Sequence, residues 1–200
     1  LVLTADLIAL HVFASFEAFT QATFNLVSVI TTTGFASADY TQWGSFSIAL
    51  FFVVTFIGGC SGSTSGGMKV FRFQLSYLFL RSQIRKLIHP SGVFVTQYNG
   101  RPVQDDIILS AVAFSFLFFV TLAVVTLLLA LMGLDLMTSL TAAATALTNV
   151  GPGLGDIVGP AGNFASLPVA AKWLLSFAML MGRLELLTLM VLFTPMFWRG

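Results

Sequence analysis

The sequence predicts an all-α fold embedded in a membrane, and three observations carry that prediction. Hydrophobic residues make up 57% of the 200-residue chain and charged residues only 8%, against about 25% charged in an ordinary soluble domain. With 21 phenylalanines as well, a soluble chain of this length has no core large enough to hide them. Residues 107–132 carry no charge at all, more than the ~20 residues a membrane helix needs. Finally, Thr31-Thr32-Thr33-Gly34-Phe35-Ala36 and Thr148-Asn149-Val150-Gly151-Pro152-Gly153 occupy matching places in the chain. Each follows a half-length helical segment and precedes a hydrophobic run, an order that reads as parallel repeats of helix, pore loop and helix around an ion pore.

Taken in order, residues 16–30 are apolar but too short to span and dotted with Ser, Thr, Gln and Asn. They read as a half-helix that enters and returns from one side, a form tolerated only inside protein or beside water. The filter stretch 31–36 follows, then an inner helix over 43–85 broken by a glycine-rich loop at 58–67. Residues 90–103, with Pro90, Gly92, Asn99, Gly100 and Pro102, read as a polar linker. An outer helix is expected over 107–132, a pore helix over 136–147, a second filter over 148–153 and a second inner helix over 168–197. The domain boundaries are thus 1–89, 90–103 and 104–200.

Lys69, Arg72, Arg81, Arg85, Lys86 and Arg101 crowd between the two halves. By the positive-inside rule this stretch is cytoplasmic and both glycine loops lie on the outer side. Ser28 to Gly34 aligns without a gap on Thr145 to Gly151, Asp39 falls opposite Asp156, and both halves run the same way through the membrane. Lys172 with Trp173, and Trp198 with Arg199, read as interfacial anchors. A net charge of +1 without a basic, aromatic-interleaved run points away from nucleic acid, and the single Cys60 excludes an intrachain disulfide. The chain begins at Leu1 without a signal-peptide pattern and reads as a piece of a longer protein.

Loop carbonyls can replace an ion's hydration shell, and glycine permits the φ that aims them inward. The expected filter residues are Thr31, Thr32, Thr33 and Gly34 in one loop and Thr148, Asn149, Val150 and Gly151 in the other. They are degenerate relatives of the Thr-Val-Gly-Tyr-Gly signature, with Ala36 in place of its second glycine. A single loop of this kind would equally be an ordinary turn. Two loops do not complete a four-stranded filter. Either two copies assemble or a missing N-terminal region supplies the rest, and the second is favoured.

Between 58 and 67 lie Gly58, Gly59, Cys60, Ser61, Gly62, Ser63, Thr64, Ser65, Gly66 and Gly67. Five glycines in ten positions oppose a helix, at roughly 1 kcal/mol each relative to alanine. Near mid-membrane, such a segment reads as a flexible plug that gates the passage beneath the filter. The gating residues are Gly58, Gly59, Gly62, Ser63, Thr64, Gly66 and Gly67, with Arg183 from the last helix. A buried Arg183 needs a partner. Glu185, two residues along the helix, does not face it, so the loop carbonyls are the expected contact. A hinge or a helix end is the plainer reading of the glycines. Asp39 and Asp156 either draw cations to the mouth or cap turns.

Two look-alikes are set aside. Met68 separates Gly67 from Lys69, so no phosphate-binding Gly-Lys pair exists. Gly59-Cys60-Ser61-Gly62 resembles the nucleophile motif of rhomboid intramembrane serine proteases, which makes Ser61 the alternative function. His11 and His89 lie toward opposite membrane faces, however, and neither matches the loop's depth. No catalytic residue, cofactor or metal cluster is expected beyond the potassium that the filter carbonyls would hold as substrate.

Residues 31–36, Phe56-Ile57-Gly58-Gly59-Cys60-Ser61-Gly62-Ser63-Thr64-Ser65-Gly66-Gly67-Met68-Lys69, residues 149–153 and Met181-Gly182-Arg183-Leu184-Glu185 together resemble the C-terminal half of bacterial Trk/Ktr potassium-uptake proteins. Plant HKT transporters belong to the same superfamily, and the wording around His89-Pro90 is similar to the TrkH branch. The resemblance implies a multi-pass protein of the bacterial inner membrane with four helix–pore loop–helix repeats around one pore. Residues 1–89 would be the third repeat, lacking most of its first helix, and residues 104–200 the fourth. It further implies that Gly34 and Gly151 are filter glycines, that 58–67 gates the pore and that Arg183 contacts it. The implied partners are the missing N-terminal half of the same protein, a second copy in a homodimer, membrane lipid and a cytosolic nucleotide-binding regulatory subunit docking near Arg81 to Arg101.

Overall fold

The computed structural model of the chain describes residues 1–60, 62–90, 92, 96–98, 100–184 and 198. Ser61, Glu185, Arg199 and positions 185–197 of the expected inner helix lie outside the described residues. The described residues form seven α-helices: α1 (Val2–Ala9), α2 (Ser15–Ile30), α3 (Ser45–Thr55), α4 (Val70–Ile88), α5 (Asp105–Leu131), α6 (Leu136–Thr148) and α7 (Val169–Arg183). Among the described residues two minimal strand pairs accompany them. β1 (Ile57–Gly58) runs parallel to β2 (Met68–Lys69), and β3 (Gln97–Tyr98) runs antiparallel to β4 (Arg101–Pro102).

Among the described residues, one helix is long and apolar enough to cross a membrane, over Asp106–Leu131. Phe114, Phe118, Leu122, Val125 and Leu129, spaced at helical intervals, bury against the rest of the protein, while Phe116, Phe119, Val124, Leu127 and Leu131 stand exposed. A helix apolar all round, with one face left open, suits lipid rather than water on its outer side.

α6 is the opposite case. Everything from Thr138 to Thr148 apart from the half-buried Leu140 is buried, and Ala142, Ala143, Ala144 and Ala146 let α5 and α7 approach closely. Its hydroxyls are bonded: Thr141 donates to the Met137 and Leu154 carbonyls at 2.8 and 3.0 Å, and Thr148 to the Ala144 carbonyl at 2.8 Å. Asp135 starts the helix, its carboxylate accepting the Thr138 amide at 3.0 Å. This bonding to Thr138 holds the exposed Asp135 carboxyl below the usual carboxylate range.

The two halves interlock. Val150 and Leu154 from the second glycine loop and its exit sit in the core built by α1, α2 and α3. Met68 from the first half sits in the core of α5, α6 and α7. Phe52 packs against both.

Two stretches depart from the sequence expectation. The 90–103 linker contains the β3–β4 hairpin, which is fastened to α4. The Tyr98 hydroxyl donates to the Gln74 side chain at 2.9 Å, and its ring meets Phe71 edge-on at 5.3 Å. The break in the inner helix is wider than 58–67, because α3 ends at Thr55 and α4 begins at Val70. The ends of the break are stitched together by β1 and β2 rather than left as a loose plug.

Candidate functional site

Both glycine loops begin where a short helix runs out, and they do so with the same backbone bonds. After α2, the Thr32 amide donates to the Val29 carbonyl at 3.1 Å and Thr33 to Ser28 at 2.9 Å; after α6, Asn149 donates to Ala146 and Val150 to Thr145, each at 3.2 Å. The dihedrals repeat as well. Thr32 and Asn149 take φ of 54° and 57°, and Gly34 and Gly151 take φ of 79° and 116°. Asparagine and glycine accept left-handed backbone readily, whereas a β-branched threonine there is a true outlier. Something must hold Thr32 in place.

The hydroxyl six residues before each filter glycine braces its loop. Ser28 Oγ donates to the Phe35 carbonyl at 2.6 Å, and Thr145 Oγ1 accepts the Gly151 amide at 2.9 Å. Asn25, fully buried, fastens the descending side of the first loop by accepting the Ser37 amide at 3.1 Å and donating to its hydroxyl at 2.9 Å. The sequence signal for it was faint, one of several polar residues scattered along an apolar half-helix. Asn149 spans the other way: its Nδ2 donates to the Met179 carbonyl of α7 at 3.1 Å.

The loops touch each other. Gly34 lies so close to the Val150 carbonyl that a Cβ on Gly34 would overlap its oxygen, and Gly34 Cα lies 3.9 Å from where a Gly151 Cβ would stand. Thr31 and Thr33 join their hydroxyls at 2.9 Å on the exposed side of the first loop. The expected filter residues are therefore one group in space.

The 58–67 segment packs under that group. Gly66 is buried, its Cα lodged where a side chain would collide with the Thr148 carbonyl and meet Asn149 Cβ at 3.0 Å; its amide donates to Thr32 Oγ1 at 3.2 Å. Inside the segment, Ser65 Oγ accepts the Gly59 amide at 2.8 Å and shares a bond with Ser63 Oγ at 2.7 Å. Gly62, Cys60 and Thr64 form its exposed side, and Gly62 has open space around it.

Arg183 lies exposed in the last described turn of α7, and among the described residues it makes no hydrogen bond or ion pair with 58–67. Lys69 reaches the segment, its Nζ donating to the Ser63 carbonyl at 3.3 Å. Besides Met179, α7 meets the site through Gly182, which sits so close to the Leu147 carbonyl that a Cβ would overlap it.

The acidic residues divide by role. Asp39 caps the 3₁₀ turn Tyr40–Gln42, accepting the Thr41 amide at 3.1 Å, whereas its counterpart in the turn Phe164–Ser166 is Asn163 rather than Asp156. Burial, with the Asp39 charge beside it, pushes the Tyr40 phenol well above its ordinary value and keeps it neutral. Lys172 Nζ donates to the Ala165 carbonyl at 2.6 Å, which ties α7 to that second turn.

Residues 2–199 match the family described as TrkH, cation transport protein. The chain belongs to the TrkH family. It is 64% identical over 185 residues to the Trk system potassium uptake protein TrkI of Halomonas elongata, covering 92% of this chain and 38% of the relative. To the Trk system potassium uptake protein TrkH of Vibrio parahaemolyticus it is 38% identical, again over 92% of this chain and 38% of the relative. The crystal structure of the potassium transporter TrkH from Vibrio parahaemolyticus matches with a TM-score of 0.91 at 37% identity, over 99% of this chain and 42% of that one. This TrkH family chain thus spans about two fifths of the length of the relatives it matches, and its fold is that of an all-α membrane transporter.

Proposed function

We propose that the full-length protein carries potassium inward across the bacterial inner membrane, and that this chain contributes two of the loops that select the ion. The observation that carries the reading is the meeting of the two glycine loops. Gly34 and Gly151, both in left-handed backbone, come together with the Val150 carbonyl between them. Left-handed backbone at alternate residues turns successive peptide groups and lets neighbouring carbonyls face a common axis. Relatives named as potassium uptake proteins agree with the choice of ion.

In this reading residues 1–89 and 104–200 are the third and fourth of four repeats, and the N-terminal half of the same protein completes the ring of loops. The segment at 58–67 closes the pore beneath them. Its fit against Thr32 and Thr148 supports this, since a plug must contact the filter loops of more than one repeat to block the axis they share. Lys69 steadies the plug through the Ser63 carbonyl. A homodimer and a cytosolic nucleotide-binding regulatory subunit complete the assembly, the latter meeting the basic stretch of α4.

Rubidium uptake into cells lacking their own potassium uptake systems tests the reading, with the full-length protein and its Gly151→Ser variant. A Cβ at φ 116° strains the backbone that aims the carbonyls, so the variant is expected to lose rubidium uptake or admit sodium. Unchanged ion preference at equal protein levels would count against the filter assignment.

A further inference from the structure

We propose that the Thr32 hydroxyl is the catch that holds the 58–67 segment closed and couples it to the filter loop above. The proposal rests on the reading of that segment as the gate. Two observations carry it. Gly66 donates its amide to Thr32 Oγ1 at 3.2 Å, across 34 positions of sequence, and so ties the segment directly to a filter loop. Thr32 also holds φ at 54°, where a β-branched residue is strained and persists only if its surroundings oblige it.

The two facts explain each other. The Gly66 amide needs an acceptor once it is buried away from water, and Thr32 offers its hydroxyl from the left-handed conformation seen here. Glycine at 66 is what allows the approach, because any Cβ there would collide with the Thr148 carbonyl of the second loop. A closed segment therefore pins Thr32 in its strained state and rests on the other filter loop at the same time. Withdrawal of the segment breaks the bond, frees Thr32 to leave left-handed backbone and so changes the loop that carries Gly34. Gate and filter behave as one two-state element. Thr32 is a positioning residue here; its side chain acts on the segment, not on the ion.

The test is rubidium uptake by the full-length protein, at matched membrane levels, in a two-by-two set with Thr32→Val and deletion of residues 62–66. Thr32→Val keeps shape and strain but removes the acceptor. Loss of one such bond from the closed state is expected to raise basal uptake about fivefold. Thr32→Ser, which keeps the hydroxyl, is expected to leak less than Thr32→Val, and Thr32→Ala replaces valine should that variant fail to insert. The deletion is expected to raise uptake further, and Thr32→Val should then add nothing, because its partner is gone. An equal effect of Thr32→Val with and without the segment would overturn the catch while leaving the gate intact. So would a serine variant as leaky as the valine one, or no rise on Thr32→Val beside a leaky deletion. Unchanged uptake on the deletion itself would overturn the gate reading and the catch together.

Discussion

Replacing Gly34 by alanine loads the first loop in two ways at once. Its φ of 79° lies in the left-handed region, where an L-residue costs roughly 1–2 kcal/mol. The new Cβ would also overlap the Val150 carbonyl oxygen and stand 3.2 Å from its carbon and 3.3 Å from Pro152 Cδ. Neither neighbour is the free end of a flexible side chain. Relief therefore requires the backbone of one loop to recede by on the order of 1 Å, and that backbone is what the filter would be made of. If the strain alone reaches the ion site, the preference for rubidium over sodium falls about 5- to 30-fold; the overlap adds to this. Paired uptake assays of both ions in the full-length protein measure it, with two internal comparisons. Gly151→Ala has strain at φ 116° but only an ordinary 3.9 Å contact, so its loss should be smaller. Gly62→Ala faces open space and should leave preference unchanged. Gly34→Ala with wild-type preference, or a Gly62→Ala effect as large as that of Gly34→Ala, would refute the reasoning.

Other positions give independent checks. Gly182→Ala should destabilise the packing of α7 on the end of α6, because its Cβ overlaps the Leu147 carbonyl; a lower melting temperature of the full-length protein in detergent is the expected outcome. Asn149→Gly removes the bond to Met179 without disturbing the left-handed backbone, so a change in ion preference there reports the side chain alone. Asp135→Ala removes the α6 cap and should cost about 1 kcal/mol at neutral pH. Since the folded carboxyl is held below its unfolded value of about 3.9, the cap's contribution is present above that pH and is lost as pH falls through the folded value. The melting difference between wild type and Asp135→Ala should accordingly shrink at pH 3.

What was legible in the sequence follows from which forces act locally. The uncharged run that becomes α5 announces itself by composition. The glycine loops were readable because a half-helix, a left-handed position and a glycine are all written in consecutive residues. The break in the inner helix was readable for the same reason, since five glycines in ten positions cannot hold a helix. The β1–β2 stitch was not, because a parallel pair of two residues each depends on where the chain is returned rather than on any local pattern. Nor was the bond from Lys69 to the Ser63 carbonyl, because periodicity places a cation at a depth without saying which neighbour it reaches. The contact of Gly66 with Thr32 and Thr148 is the furthest from local. It depends on the two halves exchanging core residues, as Met68 and Val150 do, and no periodicity in either half foretells that exchange.

Anomalous diffraction from crystals of the full-length protein grown in rubidium chloride would show whether the paired glycine loops hold the ion. The expected result is a rubidium peak between the loops, within coordinating distance of backbone carbonyls among residues 31–34 and 148–151. Well-ordered loops with no peak between them, and rubidium bound at another place in the pore, would contradict it.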